Sequence, residues 1–291
     1  MLRLVLPKGS LERATLQLFE DADLSVSRGS DVEYRGSIDD PRVDEVRILR
    51  PQEIPRYVAG GLFDVGITGR DWIEETNAEV VTLAELHYSK ATARPIRVVL
   101  AVAADSPAQS ITDLRPGLVV HTEYPELTRR YFAKHGVDAD VQLSYGATEA
   151  KVPDIADAVV EITETGSALR AAGLKILDTI LVSYTELIAS PASYEVPDKR
   201  RAMEELTTLL NGVLEARGRV LLKLNVEGAR LDAVVGLLPA LKSPTISKLA
   251  GDNAYAVETV VAKREINVLI PALKAEGATG IIELPISKIV H

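Results

Sequence analysis

Residues 156–170 read ADAVVEITETGSALR. The apolar run at 158–162 predicts a buried strand, and a helix is predicted to begin shortly after it. Between the two, Gly166 allows the backbone to approach a phosphate closely, and the hydroxyl groups of Thr165 and Ser167 can donate hydrogen bonds to it. The stretch therefore predicts an anion site at the end of a buried strand. Taken alone, the same residues also fit an ordinary turn followed by a helix N-cap.

Two acidic residues, Glu161 and Glu164, flank this turn. Carboxylates repel a bare phosphate, but they can hold the water molecules of a magnesium ion or accept hydrogen bonds from sugar hydroxyls. We therefore expect a phosphate ligand that is bound to magnesium or carries a ribose.

The composition limits the possible functions. The 291 residues are 46% hydrophobic and 26% charged, which is enough for two or three cores of ordinary domain size. A net charge of −9 gives no indication of nucleic-acid or membrane-surface binding, so an anionic substrate requires a local basic cluster or magnesium. The absence of cysteine excludes disulfides, thiolate zinc sites and a cysteine nucleophile, and the four histidines show no metal-ligand spacing.

No targeting or membrane-spanning segment is predicted. The apolar run at 2–6 is too short for a signal peptide, and no run approaches the roughly 18 apolar residues of a membrane span. We predict a cytoplasmic protein with no membrane partner and no nucleic-acid partner.

Strands alternate with helices over the first two thirds of the chain, which predicts parallel sheets with helical crossovers. Polar or glycine-containing turns follow several predicted strands, where open α/β sheets bind ligands, at 7–10, 50–51, 68–71 and 122–125. The apolar segments at 98–102 and 176–183 are suited to cross between two lobes. We therefore predict a two-lobed α/β fold of the periplasmic-binding-protein kind (type II) with a ligand cleft between the lobes. Trp72 is expected to anchor the core rather than to stack on a base.

The last part of the chain predicts a separate domain. Two helices with apolar residues at i, i+3, i+4 and i+7 are predicted at 231–238 and 266–273, among strands at 220–226, 255–262 and 280–284. With a short segment before the middle strand, the order βαββαβ is that of a ferredoxin-like (ACT-like) α+β sandwich.

The predicted domains are lobe I at 1–95 plus 180–211, lobe II with the phosphate loop at 96–179, and the C-terminal domain at 212–291.

Seven short motifs resemble one known family. They are LPKGSL at 6–11, LRP at 49–51, DVGITGRD at 64–71, TEYP at 122–125, GATE at 146–149, the opening stretch up to residue 169, and LKSPTI at 241–246. Each motif alone is weak. In this order and at this spacing they resemble the long form of ATP phosphoribosyltransferase over the whole chain.

The resemblance implies that N1 of the adenine of ATP displaces magnesium pyrophosphate from phosphoribosyl pyrophosphate, with inversion at the anomeric carbon. This is the first step of histidine biosynthesis, and the implied cofactor is Mg²⁺. Such a glycosyl transfer needs the positioning of two polyanions and charge stabilisation more than a strong nucleophile.

The resemblance also implies roles for individual residues. The expected catalytic residues are Glu161, Lys8 and Arg50. Glu161, the expected metal ligand, would face magnesium or the ribose hydroxyls. Lys8 and Arg50, together with Arg70, would oppose the phosphates. The 5-phosphate of the ribosyl donor is expected to lie on Glu164, Thr165, Gly166, Ser167, Ala168 and Leu169. The other expected substrate-binding residues are Gly9, Gly69, Arg70, Asp71, Tyr124, Pro125 and Glu149. Many family members have threonine at the position of Ala168, so one phosphate hydroxyl is missing here.

The family is inhibited by the end product of its pathway, so the resemblance implies that L-histidine binds the C-terminal domain. The expected histidine-binding residues are Leu241, Ser243 and Thr245, with Asn225 and Ala278 on neighbouring elements. A plain turn at 243–245 is the alternative. The family also implies a homo-oligomer, a hexamer built from dimers.

Three other functions are alternatives. Prephenate dehydratase has the same kind of fold, but of its two motifs, Thr-Arg-Phe has only the partial match Thr128-Arg129-Arg130 here and Glu-Ser-Arg-Pro is absent. A small-molecule sensor without chemistry fits the fold equally well. The acids beside the phosphate loop argue against a sensor, because a simple anion would not need them. A catalytically inactive regulatory subunit conflicts with both lobes and the tail being present in one chain.

Overall fold

The computed structural model describes residues 1–30, 32–88, 95–239, 243–251 and 253–291. The chain divides into two compact units, Met1–Thr207 and Thr208–His291.

The first unit contains two mixed sheets and their helices. Its strands are β1 Leu2–Pro7, β2 Val26–Ser27, β3 Arg35–Ile38, β4 Val43–Leu49, β5 Val65–Gly69, β6 Val81–Leu86, β7 Ile96–Ala103, β8 Leu118–Thr122, β9 Ala139–Leu143, β10 Ala158–Thr163, β11 Leu174–Ser183 and β12 Thr185–Ala189. Its helices are α1 Glu12–Asp21, α2 Ile54–Ala59, α3 Arg70–Thr76, α4 Pro125–Lys134, α5 Ser167–Ala171, α6 Pro191–Tyr194 and the start of α7 Pro197–Ala216. Short 3-10 helices lie at Gly9–Leu11, Ile111–Asp113 and Thr148–Lys151.

Lobe I is built on a seven-stranded sheet in the order β2-β3-β4-β1-β5-β12-β6. Strand β1 runs parallel to β4 and β5, so the turns after these three strands meet at one edge of the sheet. Strand β5 is buried along its whole length. A side chain at its Gly66 would meet Val5 Cγ1 at 2.7 Å, which explains a glycine in the middle of a strand.

Lobe II is built on a five-stranded sheet in the order β11-β7-β10-β8-β9. Strands β8, β9 and β10 are parallel, and β7 runs antiparallel to both β10 and β11. Residues 98–102 are fully buried because alternate side chains of β7 pack into cores on opposite faces of the sheet. This double burial is why the strand is apolar at consecutive positions.

The two crossing segments predicted from sequence are β7 and β11, which pair with each other from Leu174 opposite Ala103 to Ser183 opposite Ile96. The pairing includes two register shifts and continues to Ser183, so β11 belongs wholly to the sheet of lobe II. The sequence had placed 180–183 in lobe I, because an apolar run does not indicate where its pairing ends. The chain returns to the first sheet with β12.

The second unit contains β13 Arg219–Glu227, α8 Leu231–Leu237, β14 Thr245–Lys248, β15 Ala254–Ala262, α9 Ile266–Ala275 and β16 Thr279–Pro285. The sheet order is β14-β15-β13-β16, and every pairing is antiparallel. Apolar residues of α8 and α9, such as Val234 and Leu273, pack with Leu222 and Leu224 of the sheet in one core. The element order and sheet order confirm the predicted ferredoxin-like sandwich.

The division between the units falls after Thr207, inside α7, rather than at the predicted residue 212. Helix α7 spans Pro197–Ala216 and so belongs to both units. Among the helices that the structure describes, none is long and apolar enough to span a membrane.

The two-lobed α/β fold and the α+β tail are as the sequence predicted.

Candidate active site

A cavity of about 210 Å³ lies between the two sheets of the first unit. Lobe I contributes the turns after β1, β4 and β5, lobe II contributes the ends of β8 and β10, and the β11–β12 turn completes the wall. The lining residues are Ser10, Leu11, Pro51, Gln52, Gly69, Asp71, Trp72, Ile96, Glu123, Tyr124, Ile162, Ser183, Tyr184 and Thr185. The cavity thus lies where the parallel strands of both lobes end, as expected for an open α/β fold.

Asp71, at the start of α3, joins the two lobes across this cavity. Its carboxylate is buried and accepts hydrogen bonds from the hydroxyl of Ser183 at 2.7 Å and from the hydroxyl of Tyr124 at 2.8 Å. Burial raises the pKa of Asp71, although both hydroxyl donors oppose the rise. Gly69 caps α3, and a side chain there would collide with the Asp71 carboxylate. The observed position of the Asp71 carboxylate therefore requires glycine at residue 69.

Tyr124 and Trp72 form an aromatic wall. Their ring centroids are 4.6 Å apart with an interplanar angle of 34°, and Tyr124 is only 2% exposed. Burial raises the pKa of Tyr124 well above its usual value, and the nearby Asp71 charge adds to this. The phenol therefore stays protonated and keeps donating to Asp71. Trp72 packs against the core of lobe II, as expected, but it also lines the cavity, a role the sequence did not indicate.

Glu161 stands near the end of β10 and is partly buried. Burial raises its pKa, and the charges of Glu123 and Glu149 raise it further, while hydrogen bonds from the Ile162 backbone and from Thr148 oppose the rise. Three carboxylates thus lie close enough to affect one another. Such a group favours a ligand that brings a cation with it.

The donor set fits magnesium that is bound mainly through a substrate. Among the described residues, no group of three or more histidine, aspartate or glutamate side chains is arranged to hold a metal ion. Magnesium commonly takes one or two carboxylates and completes its shell with water and substrate phosphates. Glu161 and its acidic neighbours can supply that part of the shell.

The predicted phosphate loop follows β10 and leads into α5. Gly166 is the N-cap residue of α5 with φ of 74°, and a side chain there would meet Arg170 Nη1 at 2.9 Å. Its N–H donates to Thr163 Oγ1 at 2.7 Å, and the hydroxyl of Thr165 donates to Ser167 Oγ at 2.9 Å. Thr165, Ser167 and Ala168 are exposed, whereas Leu169 is buried in the core beneath them. Glu164 is partly buried at the start of the turn.

The predicted basic residues do not converge on the cavity. The ammonium of Lys8 lies 4.1 Å from the centre of the Tyr34 ring, and Arg50 is exposed after β4. The guanidinium of Arg70 pairs with Glu74 at 2.6 Å and with Glu186 at 3.8 Å, and Arg70 lines a separate cavity. A positive residue at a strand end can be read from sequence, but the direction of its side chain cannot.

The remaining predicted residues are placed as follows. Gly9 has φ of 84° at the start of a 3-10 helix, Pro125 is the first residue of α4, and Glu149 is in the 3-10 helix beside Glu161. The sequence missed Gln52, Tyr184 and Thr185, which line the cavity. Gln52 follows the end of β4, and Tyr184 and Thr185 follow the crossing strand β11. These positions in the sequence could have indicated that the three residues line the cavity.

In the second unit, Asn225 and Thr245 lie on the face of the sheet away from the helices. Asn225 is opposite Ala256 and Thr245 is opposite Glu258, and residues two apart on β15 share a face. Ser243 and Thr245 are exposed, whereas Ala278 is 3% exposed and packs in the core on the helix side. The structure thus places Ala278 on the opposite side of the sheet from Asn225 and Thr245. Leu241 lies outside the described residues.

Comparisons with known proteins cover both units. A family model described as "ATP phosphoribosyltransferase" matches residues 50–212, and one described as "HisG, C-terminal domain" matches residues 216–288. The ATP phosphoribosyltransferase of Solibacter usitatus is 49% identical over 290 residues, which is 100% of this chain and 99% of the relative. That of Chlorobaculum parvum is 50% identical over 291 residues, which is 100% of this chain and 98% of the relative.

One solved structure is also similar. It is described as the ATP phosphoribosyl transferase (HisG:HisZ) complex from Thermotoga maritima and matches with a TM-score of 0.60 and 25% sequence identity. The match covers 71% of this chain and 98% of the Thermotoga chain.

Proposed function

The chain belongs to the ATP phosphoribosyltransferase family in its long form, with the C-terminal domain, and we propose that it transfers phosphoribosyl from phosphoribosyl pyrophosphate to N1 of ATP. The observation that carries this proposal is a cavity between two lobes, with an aromatic wall on one side and an acid-flanked phosphate loop nearby. An aromatic wall suits an adenine, and the acids and the loop suit a ribose phosphate with magnesium.

In the proposed reaction, the lone pair of adenine N1 forms a bond to the anomeric carbon of the ribose. The carbon–oxygen bond to pyrophosphate breaks, and its electron pair leaves with the pyrophosphate. Positive charge develops on the ribose in the transition state, and a carboxylate beside the ring stabilises it. Glu161, near the end of β10 and before the proposed phosphate loop, would take this role.

Magnesium, when bound, neutralises charge on the departing pyrophosphate. Glu161, with its neighbours Glu123 and Glu149, would supply protein oxygens on the metal or on its water molecules. The loop at 163–169 would hold the 5-phosphate through backbone N–H groups and the hydroxyls of Thr165 and Ser167. Two substrates held in one closed cavity react much faster than free ones.

For the nucleotide, Tyr124 and Trp72 would contact the adenine and Asp71 would fix that wall through Tyr124. Gly69 lines the cavity, and the backbones around Gly9 and Pro125 would line the approach to it. Lys8 and Arg50 would meet the phosphates only after their side chains turn towards the cavity, and Arg70 only if its pairing with Glu74 and Glu186 opens.

The proposal includes regulation by L-histidine at the C-terminal domain, a homo-oligomer, and a place in the cytoplasm at the start of histidine biosynthesis. For the effector, the exposed residues Thr245, Ser243 and Asn225 on one part of the sheet are the proposed contacts.

Release of pyrophosphate tests the reaction directly. We expect pyrophosphate to appear only when ATP, phosphoribosyl pyrophosphate and Mg²⁺ are all present, and to stop when the metal is chelated. Release without ATP would indicate hydrolysis, and binding of both compounds without any release would indicate a sensor.

A further inference from the structure

Helix α3 of lobe I lies against the start of α4 in lobe II through one of its faces. Asp71 and Glu75 are one helical turn apart on this face, and Trp72 lies beside them. Asp71 accepts a hydrogen bond from the Tyr124 hydroxyl at 2.8 Å. Two carboxylates of one short helix therefore both hold the other lobe, and the established family activity accounts for neither contact.

Glu75 binds backbone N–H groups at the start of α4. The carboxylate of Glu75 accepts from the N–H of Glu126 at 3.1 Å and from the N–H of Leu127 at 2.9 Å. The first N–H groups of a helix have no partner within the helix, and Pro125 has no N–H to offer. The residue at the N-cap position, Tyr124, makes no side-chain cap. A carboxylate from the other lobe thus supplies the missing cap, where negative charge also favours the helix dipole.

The contact is mostly shielded from water. Glu75 is 9% exposed and Leu127 is buried, whereas Glu126 is exposed and Glu75 also lines a second cavity. A charged hydrogen bond is stronger where water is excluded, and the loss of one partner then leaves donors unpaired. The cap at Glu75 is therefore a rigid link and not a surface pairing.

The link fixes the aromatic wall of the cavity. Tyr124 directly precedes the capped turn of α4, and Trp72 precedes Glu75 in α3, so the same link sets the 4.6 Å spacing of the two rings. We infer that Glu75 is a positioning residue: its carboxylate ties the start of α4 to α3 and so holds Tyr124 and Trp72 together as one wall of the nucleotide cavity. This inference rests on the proposed function for the identity of the nucleotide, but the interlobe link can be measured without substrate.

The test uses the full chain and the fluorescence of Trp72, the only tryptophan in the sequence. Glu75→Gln keeps the shape and one acceptor oxygen, but its amide nitrogen faces a backbone donor. We expect its Trp72 emission to shift without ligand, and its affinity for ATP, measured by titrating that emission, to fall about tenfold. In the assay, the KM for ATP should rise about as much, while kcat and the KM for phosphoribosyl pyrophosphate change less than about threefold.

Two further variants make the result specific. Glu75→Asp keeps the charge but is one methylene shorter, so its ATP affinity should lie between those of the Gln variant and the unaltered chain. Glu79→Gln removes an exposed carboxylate four positions along the chain and should leave emission and ATP affinity unchanged. Because neither fluorescence measurement needs turnover, a failure of the proposed reaction would be seen separately as absent product.

An unchanged Trp72 emission in Glu75→Gln would overturn the inference, as would a shifted emission with unaltered ATP affinity. An equal loss in kcat and in the affinity for both substrates would also overturn it, because that result describes general damage and not a defect in one wall.

Discussion

Asp64 is fully buried at the start of β5, and it binds three other elements. Its carboxylate accepts from Lys199 Nζ at 2.7 Å, from Ser193 Oγ at 2.6 Å and from the backbone N–H of Arg3 at 2.8 Å. Burial alone would raise the pKa of Asp64, but the bonds from Lys199, Ser193 and Arg3 outweigh it and hold the pKa at about 2. The charged form of Asp64 is therefore part of the folded state.

Asp64→Asn should destabilise the first unit by about 2 kcal/mol, because it takes the buried negative partner away from the partly exposed side chains of Lys199 and Arg3. Urea unfolding followed by Trp72 fluorescence measures this, since Trp72 lies in the same unit. The exposed Asp44→Asn is the matched control and should change stability by less than about 0.5 kcal/mol. A variant as stable as the unaltered chain would contradict the account.

The same group predicts a dependence of stability on pH. Since the folded pKa of Asp64 is lowered from 3.8 to about 2, its contribution is complete above pH 3.8 and is lost as the pH falls towards 2. Asp64→Asn should remove this part of the acid transition. The difference in stability between the two proteins should therefore shrink at low pH.

Glu161 shows the opposite shift, because burial and its acidic neighbours raise its pKa above 4.5. If the ionised carboxylate stabilises the ribose cation, activity should rise with pH through this raised pKa. Glu161→Gln should lower kcat about a hundredfold and abolish that acidic limb of the pH profile. A profile that keeps the limb in the variant would assign it to another group.

At the residue scale, the sequence indicated chemistry better than direction. The sequence predicted Asp71 and Tyr124 as substrate-binding residues, and both line the cavity. Arg70, from the same motif, instead pairs with Glu74 and Glu186. Side-chain direction depends on partners distant in sequence, and a single sequence does not list them.

The turn between β10 and α5 is the element on which the proposed phosphate binding depends. Gly166 adopts a positive φ, and its Cβ position is occupied by the side chains of Arg170 and Ile176. Gly166→Ala should therefore cost about 1 kcal/mol of stability and also displace the loop, raising the KM for phosphoribosyl pyrophosphate about tenfold or more.

Gly173→Ala is a matched control for Gly166→Ala. Gly173 has φ of 77°, close to the 74° of Gly166, but nothing lies within 4 Å of its Cβ position. It should show a similar loss of stability without the rise in KM. Equal KM values in the two variants would remove the loop from the proposed phosphate site.

At the element scale, strands buried on both faces were the easiest to predict. Strands β7 and β10 are apolar at consecutive positions over 98–102 and 158–160, and both faces of their sheet are covered. The end of β11 was harder to predict. Its pairing with β7 has two register shifts and includes a polar residue, Asp178, opposite Leu100.

On the scale of the whole molecule, the predicted domains follow from the change of pattern along the chain. Alternating strands and helices predicted the two lobes, and the order βαββαβ predicted the second unit. The exact boundary between the two units could not be predicted from the sequence, because α7 crosses it without a break in its helical pattern.

The proposed regulation by L-histidine can be tested on the full chain. Thr245→Val keeps the size of the side chain and removes an exposed hydroxyl of β14, so it should weaken inhibition by L-histidine about tenfold. Thr112→Val, which alters an exposed threonine of the first unit, is the control and should keep normal inhibition. If the same histidine concentration inhibits Thr245→Val and the unaltered chain equally, Thr245 is not part of the effector site.

The central claim is best tested by the ultraviolet absorbance of the full chain incubated with ATP, phosphoribosyl pyrophosphate and Mg²⁺. Substitution at N1 changes the adenine chromophore, so we expect new absorbance that depends on all three components and falls when L-histidine is added. No new absorbance from a folded protein with magnesium present would contradict the proposed transfer.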